Sequence, residues 1–182
     1  MSMAASNANP VVDRAIRAAR LEDAVYEEVA RDQDATVQAL LIVVATAILG
    51  GIGSLGAGGS ALLAALIFAP LAWVLSSALA YFVGTRFVGA SAQVDWLEVA
   101  RALGFASAPG VFRFLGIIPV LGGLLLLAVG IWQLVAAVVA LRASLQVTTG
   151  QAVVTMLLSM VIAWVVAALL LGALLGPVIA FG

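Results

Sequence analysis

The sequence predicts an all-α integral membrane protein, a bundle of five transmembrane helices preceded by an amphipathic helix. Hydrophobic residues make up 65% of the 182 residues and charged residues only 9%, whereas roughly a quarter of a soluble domain is charged. Apolar runs of about 20 residues, enough to cross a hydrocarbon core of about 30 Å, recur from Val37 onward. This length holds one small bundle without a second folded domain.

The composition excludes several classes of chemistry. The chain contains no cysteine and no histidine, which excludes disulfides, Cys/His metal sites, His-ligated haem and a Ser-His-Asp triad. The net charge of −1 gives no reason to expect a nucleic-acid partner. We therefore expect no enzymatic activity, no cofactor and no metal.

The N-terminal part is predicted to be a short disordered segment, residues 1–9, followed by an amphipathic cytoplasmic helix over residues 10–35. Asn9 followed by Pro10 is typical of a helix start, with a capping side chain and then a proline in the first turn. Val11, Val25 and Val29 fall on one side of this helix, and its charges fall mostly on the other. Such a helix lies at the membrane interface or on its own bundle. The alternative is a solvated, charged helix that leads into the first span.

The transmembrane domain is predicted to cover residues 36–182. The glycine-rich segment after the first span indicates a short flexible turn, because it joins two apolar helices and lacks the lysine of a phosphate-binding loop. Pro70 predicts a kink in the second span, and Gly176-Pro177 predicts the end of the fifth. The five predicted spans are residues 37–56, 61–84, 99–118, 121–141 and 152–175.

Two helix starts have the spacing of a capping box. Asp95 and Glu98 precede the third span, and Thr148 and Gln151 precede the fifth. In this motif the first side chain accepts a hydrogen bond from a backbone N–H three residues later, and the later side chain returns the bond. The acidic pair Asp95 and Glu98 is therefore interpreted as a structural cap rather than an acid/base pair.

Arg113 is the one charge well inside an apolar run. A charge at the bilayer centre costs about 2.5 to 3.5 kcal/mol on insertion scales, so it normally has a partner or a route to water. Arg113 is expected either to snorkel to the outer interface or to contact a partner protein or an anionic lipid. Gly104 and Pro109, in the same segment of small residues, are candidates for the same contact. An alternative is that 102–119 forms a re-entrant element, which would return the C-terminus to the cytoplasm.

Three tryptophans fall near the middles of predicted spans rather than at their ends. Trp73, Trp132 and Trp164 could line a site for a flat apolar ligand such as a quinone or a carotenoid. The alternative is that they pack on one another or on a neighbouring helix, since interfacial tryptophans lie at span ends. They are weak candidates for a ligand site.

The arginine distribution predicts the orientation. Cytoplasmic loops of membrane proteins carry an excess of Lys and Arg. Placing the N-terminus in the cytoplasm and the C-terminus on the exoplasmic side puts every arginine except Arg113 on the cytoplasmic side. We expect a multi-pass protein of the cell inner (plasma) membrane.

Three segments carry a family resemblance: RDQDATVQALLIVV before and in the first span, RALGFASAPGVF in the third, and LRASLQVTTGQAV before the fifth. In their order and spacing they resemble the Ypt-interacting-protein (Yip) domain family of small polytopic membrane proteins, especially its prokaryotic branch. The resemblance implies five spans and a cytoplasmic N-terminus. Eukaryotic members bind prenylated Rab-type GTPases. Residues 31–36, RDQDAT, stand where those members carry an Asp-Leu-Tyr-Gly-Pro type motif, so no GTPase-binding residue is carried over.

These observations favour a non-enzymatic membrane adaptor or organiser that contacts the lipid bilayer and other membrane proteins or itself. The alternative function is an accessory subunit of a larger respiratory or photosynthetic membrane complex. A small-molecule or lipid transporter ranks third, because the predicted spans contain no Asp, Glu or His for an ion or proton relay.

Overall fold

The computed structural model describes residues 9–53, 60–90, 93–118 and 120–181. Except for Asn9, the segment predicted to be disordered lies outside these residues, and so does the 54–59 part of the predicted glycine-rich turn. The described residues form seven α-helices and no strand, which confirms the all-helical class. The helices are α1 (Pro10–Ala19), α2 (Asp23–Arg31), α3 (Ala35–Gly53), α4 (Ser60–Val83), α5 (Trp96–Ala106), α6 (Gly122–Leu145) and α7 (Thr149–Phe181).

Among the described residues, four helices are long and apolar enough to cross a membrane. They are α3, α4 with its π-helical extension Gly84–Val88, α6 and α7, and they correspond to the predicted first, second, fourth and fifth spans. Large apolar side chains are exposed on their outer faces, among them Phe68, Leu124 and Trp164, each more than 60% exposed. An apolar outer surface of this extent is expected of a bundle that is surrounded by lipid.

The predicted third span, residues 99–118, is not one continuous α-helix. Helix α5 ends at Ala106, and Ala108–Ile117 continues as a 3-10 helix. Pro109 has no backbone N–H for the α-helical ladder, and the Ser107 hydroxyl donates to the Gly104 carbonyl at 2.6 Å. Both features favour ending the α-helix at this point.

Helix α5 and the 3-10 helix run beside α3 and in the same direction. Gly104 lies against Ala39, Gly110 against Thr46, and Arg113 against Gly50. A Cβ atom placed on Gly104 would lie 2.6 Å from the Cβ atom of Ala39. Small residues therefore allow the two backbones to approach closely, as they do in other membrane bundles.

The predicted single N-terminal helix is two helices, and this prediction was wrong. Leu21 adopts a left-handed conformation with φ of 63° and separates α1 from α2. The break allows Ala18 of α1 and Val25, Tyr26 and Val29 of α2 to bury against α3, α5 and α6 in one cluster. Tertiary packing has overridden the continuous helical pattern. We call α1 and α2 together the cap, and the end of the bundle where they lie the capped end.

The last helix continues beyond its predicted end. Helix α7 passes through Gly176 and Pro177 to Phe181, and α4 likewise continues across Pro70. A proline inside a helix removes one backbone hydrogen bond and bends the helix without necessarily ending it.

Candidate functional site

The 3-10 helix sets the direction of Arg113. Side chains three residues apart eclipse one another in a 3-10 helix, and runs longer than three or four residues are uncommon. Here the run has 10 residues, so Gly110, Arg113 and Gly116 share a face. That face lies between α3 and α6, since Gly110 approaches both Thr46 and Gln133 and Gly116 approaches Leu126.

Arg113 is hydrogen-bonded to a neutral side chain. Its Nη2 donates to Oε1 of Gln133 at 2.6 Å, and Nε2 of Gln133 donates to the Ser107 carbonyl at 3.1 Å. The second bond turns the amide oxygen of Gln133 toward the guanidinium. Within the described part of the chain, no acidic side chain forms an ion pair with Arg113.

The guanidinium of Arg113 lies toward the middle of the bundle. Gln133 is 11 residues from the start of α6, which places it about 16 Å along that helix at 1.5 Å per residue. The expected snorkelling would instead carry the charged group to the nearby bundle end. The geometry therefore favours an inward interaction of Arg113.

A cavity of about 820 Å³ lies between α3, α4, α5, α6 and α7, and Arg113 lines it. Its wall is mostly alanine, leucine and methionine. Leu127 and Ile131 belong to this wall and are also more than half exposed on the bundle surface, so the cavity opens toward the surrounding lipid. The polar side chains in the wall are Thr46, Ser76, Ser107, Arg113, Gln133 and Ser159.

Ser159 is the buried polar group of this wall that lacks a partner. The hydroxyl groups of Thr46 and Ser76 donate to carbonyls of their own helices. The Ser159 hydroxyl oxygen is buried and makes no hydrogen bond to any described residue, although a buried hydroxyl without a bond is unfavourable. The cavity thus holds an unpaired positive charge and a free hydroxyl.

The three mid-span tryptophans do not line one site. Trp73 lines the cavity, and its Nε1 donates to the Ala100 carbonyl at 2.7 Å. Trp132 donates to the Ala19 carbonyl at 2.8 Å and stacks on Phe112. Trp164 is 73% exposed on the bundle surface. The hypothesis of a shared tryptophan-lined ligand site was wrong, and only Trp73 remains near a cavity.

Gly104 and Pro109 occupy packing positions inside the chain. Both are buried, and Gly104 lies against Ala39 and Trp73. The expectation that they contact a partner or lipid was wrong, because the small residues that suggested an external contact serve the α3–α5 contact instead.

The two predicted capping boxes differ in the structure. Thr148 and Gln151 exchange both bonds of a capping box, at 2.9 Å from Thr148 N to Gln151 Oε1 and at 3.3 Å from Gln151 N to Thr148 Oγ1. Asp95 makes no side-chain capping bond, and only its carbonyl accepts from the N–H of Glu98. The expectation for Asp95 was wrong because its backbone begins the turn while its side chain remains exposed.

The cap is held by a network of charges. Arg14 binds Glu28 at 2.8 Å and Asp32 at 2.7 Å, and Arg17 binds Glu22 and Glu28 at 3.1 Å. The hydrogen bond from Arg14 lowers the pKa of Asp32 below its ordinary value. These bonds join α1 to α2, and a further bond from Arg14 Nη1 to Oε1 of Gln38 at 3.0 Å joins α1 to the start of α3.

Two further contacts of the cap are buried, one within it and one to the bundle. Within the cap, the Tyr26 hydroxyl donates to the Ala18 carbonyl at 2.8 Å, and burial raises the pKa of Tyr26 well above its usual range. Arg101, only 4% exposed, donates to the Ala30 carbonyl in the last turn of α2, where the helix end carries partial negative charge.

A second, polar cleft separates α2 from the end of α6. Its volume is about 510 Å³, and Asp23 forms an ion pair with Arg142 within it. We call it the cap cleft. Its wall consists of Asp23, Glu27, Arg31, Arg142, Ala143, Gln146 and Val147.

Sequence analysis did not identify Gln133, Tyr26 or the pair of Asp23 and Arg142 as site residues. Gln133 had a detectable signal, since it is an amide in the middle of an apolar run and polar groups in such runs need partners. The pairing of Asp23 with Arg142 joins residues far apart in the chain and has no local signal.

The comparisons with known proteins agree with this architecture. The family model of the Yip1 domain matches residues 22–179, which covers α2 and the whole bundle. No curated protein and no solved structure shows a significant match to the chain. With its apolar helices and a match over most of its length, the chain is a multi-pass membrane protein that belongs to the Yip1-domain family.

Proposed function

We propose that the protein is a non-enzymatic adaptor that binds other membrane proteins through its capped end. The observation that carries this proposal is the fixed cap. An ion pair to Arg142, hydrogen bonds from Arg101 and Trp132, and shared core packing hold α1 and α2 on the bundle. A rigid surface binds a partner without the entropic cost of ordering it.

The cap cleft is the proposed contact surface. It combines two acidic and two basic side chains, and Glu27 and Arg31 are largely exposed there. Mixed charges of this kind set specificity and register at an interface more than raw affinity. The partner is therefore expected to present a charged segment close to the membrane surface.

We propose that α5 and the 3-10 helix together supply a fifth crossing. They run beside α3, and their 11 and 10 residues would extend about 36 Å if collinear, against a hydrocarbon core of about 30 Å. The capped end is proposed to be cytoplasmic. This orientation is supported by the excess of arginines at the capped end, because cytoplasmic segments of membrane proteins carry an excess of Lys and Arg.

Reporter fusions at Ser2 and Gly182 test this topology. With five crossings the two reporters become accessible from opposite faces of the membrane, and the reporter at Ser2 is accessible from the cytoplasm. Accessibility from one face only contradicts the fifth crossing and supports the re-entrant alternative.

Gentle solubilisation followed by identification of co-purifying membrane proteins tests the adaptor role. The variant Arg31→Glu is expected to release a partner held at the cap cleft. The control is Asp34→Arg, a charge reversal at an exposed residue outside the cleft. A partner that stays bound in constant ratio to Arg31→Glu favours the accessory-subunit alternative, and a protein that always migrates alone contradicts both.

A further inference from the structure

We propose that the cavity binds an anionic phospholipid of the surrounding bilayer, with the head group at Arg113 and an acyl chain along the cavity. This goes beyond the adaptor role and does not depend on it. The adaptor role concerns the capped end, whereas this site lies within the bundle.

The charge of Arg113 requires an anionic partner. A guanidinium carries five N–H donors and no acceptor, and within the described part of the chain one of its hydrogen bonds is formed, to neutral Gln133. A charge within the membrane is normally paired, and no described acid pairs with this one. Carboxylates and phosphates are the anions that a planar guanidinium binds through two parallel hydrogen bonds, and phospholipids supply phosphate at the membrane.

The cavity has the size and the lining of a ligand site. Its volume of about 820 Å³ lies within the range of about 300 to 1,000 Å³ that is typical of ligand sites. Such sites combine an apolar wall with a few polar groups that orient the ligand. Here Arg113 is the charged group, and the unpartnered hydroxyl of Ser159 is available to an ester carbonyl.

The opening of the cavity identifies the bilayer as the source. Leu127 and Ile131 form part of the wall and are exposed on the lipid-facing surface, so a lipid can enter sideways. The backbone of Arg113 lies about 8 Å from the end of the 3-10 helix at 2.0 Å per residue, but its guanidinium reaches inward to Gln133. A bound head group is therefore drawn into the bundle to the depth of Gln133, with its chain directed toward the capped end.

Fluorescence quenching of Trp73 tests the site, because Trp73 lines the cavity. The substitutions Trp96→Phe, Trp132→Phe and Trp164→Phe leave Trp73 as the only tryptophan. This protein is reconstituted in phosphatidylcholine vesicles that contain lipid with brominated chains, either phosphatidylglycerol or phosphatidylcholine. Brominated phosphatidylglycerol is expected to quench Trp73 at a bulk fraction about tenfold lower, the scale of one charge-assisted hydrogen bond. Equal quenching by the two lipids overturns the proposal.

Variants test whether the preference for phosphatidylglycerol over phosphatidylcholine depends on Arg113. Arg113→Gln is expected to abolish it, and Arg113→Lys to keep the charge but weaken the binding. The control is Arg86→Gln, which removes an exposed arginine outside the cavity. Ala137→Leu, in the cavity wall, is expected to reduce quenching by both lipids. An unchanged preference in Arg113→Gln contradicts the assignment, even if the lipid binds elsewhere.

A further experiment distinguishes binding of a phospholipid from binding of a free fatty acid, which also combines an anionic group with an apolar chain. Saturable quenching by a brominated fatty acid, without any effect of phosphatidylglycerol, overturns the bilayer-lipid proposal. Helical content measured by circular dichroism checks that each variant is folded. A variant that unfolds is replaced by Ser159→Ala, which is expected to weaken quenching by both lipids alike, because both carry ester carbonyls, while it leaves the preference set by Arg113 in place. Unchanged quenching by both lipids in Ser159→Ala contradicts the placement of the ester group at Ser159.

Discussion

The arginines of the capped end and the arginine of the cavity differ in their binding partners. At the capped end, Arg14 pairs with two carboxylates and Arg17 with three, and Arg101 binds the carbonyl end of α2. In the cavity, Arg113 binds a neutral amide, and no described acidic side chain pairs with it. The first arrangement pairs most of its donors within the chain, although the buried Nε of Arg101 has no partner among the described residues, whereas the second leaves a charge for something outside the chain.

This difference separates stability from binding. Partly exposed ion pairs contribute little each, about 0 to 1 kcal/mol, but several that share residues fix the position of a helix. A charge in an apolar environment costs more than it contributes unless it is fully paired. The capped end is therefore expected to lose stability when its side chains are removed, and the cavity is expected to lose binding.

The largest expected effect is at Tyr26, the biggest fully buried side chain of the cap. Tyr26→Ala removes a buried ring and is expected to lower the free energy of unfolding by about 3 to 5 kcal/mol. Tyr26→Phe keeps the ring, loses the bond to Ala18, and is expected to cost about 1 kcal/mol. Thermal unfolding in detergent measures both, and faster trypsin cleavage within the cap should accompany the alanine variant. Equal effects of the two variants would contradict a packing role for the ring.

The two predicted capping boxes, before α5 and α7, provide a test with a smaller expected effect at the same end of the bundle. Thr148→Ala breaks an observed capping box and is expected to cost about 0.5 to 2 kcal/mol. Asp95→Ala is expected to change the free energy of unfolding by less, because its side chain caps nothing. Thermal unfolding of the two variants in one detergent makes the comparison. A larger loss for Asp95→Ala would require a role of its carboxylate beyond this structure.

The two regions are compared directly by removing one arginine from each. Arg14→Leu leaves Glu28 and Asp32 without their shared partner and is expected to cost about 1 kcal/mol. Arg113→Leu removes a charge from apolar surroundings, so the free energy of unfolding is expected to stay the same or rise. Unfolding in lipid-free detergent is the measurement. A clear loss of stability in Arg113→Leu would show that Arg113 has a structural role. It would contradict the proposed difference between the capped end and the cavity.

The sequence predicted most of the apolar helices because each is a long uninterrupted run with the length of a membrane span. It failed at the α1–α2 corner, where Leu21 has no local feature that breaks a helix and the break depends on burial of Tyr26 and Ala18. It located Arg113 as unusual, since a single charge in an apolar run is visible in any sequence. It did not predict the bond to Gln133, because that bond depends on the 3-10 register and on the approach of α6.

The smallest expected effect is the response of the cap to acid. The pKa of Asp32 is lower in the folded protein than in the unfolded chain because Arg14 donates to the carboxylate. The unfolded state therefore takes up the proton first, so the contribution of this pair is present above about pH 4, the ordinary range of a free aspartate, and is lost as the pH falls further. Asp32 is partly exposed, so the effect is modest.

The fluorescence of Trp132 can follow this loss, because its indole donates to the Ala19 carbonyl at the end of α1. With the other tryptophans replaced by phenylalanine, the signal of Trp132 is expected to change as the pH falls below about 4. Asp32→Asn cannot titrate and should respond less, although Glu28 still shares Arg14. The Trp73 signal from the cavity should stay constant over the same range, because no acidic side chain lines that cavity. If both signals changed together, acid would be loosening the whole bundle, and the cap and the cavity would not be independent regions.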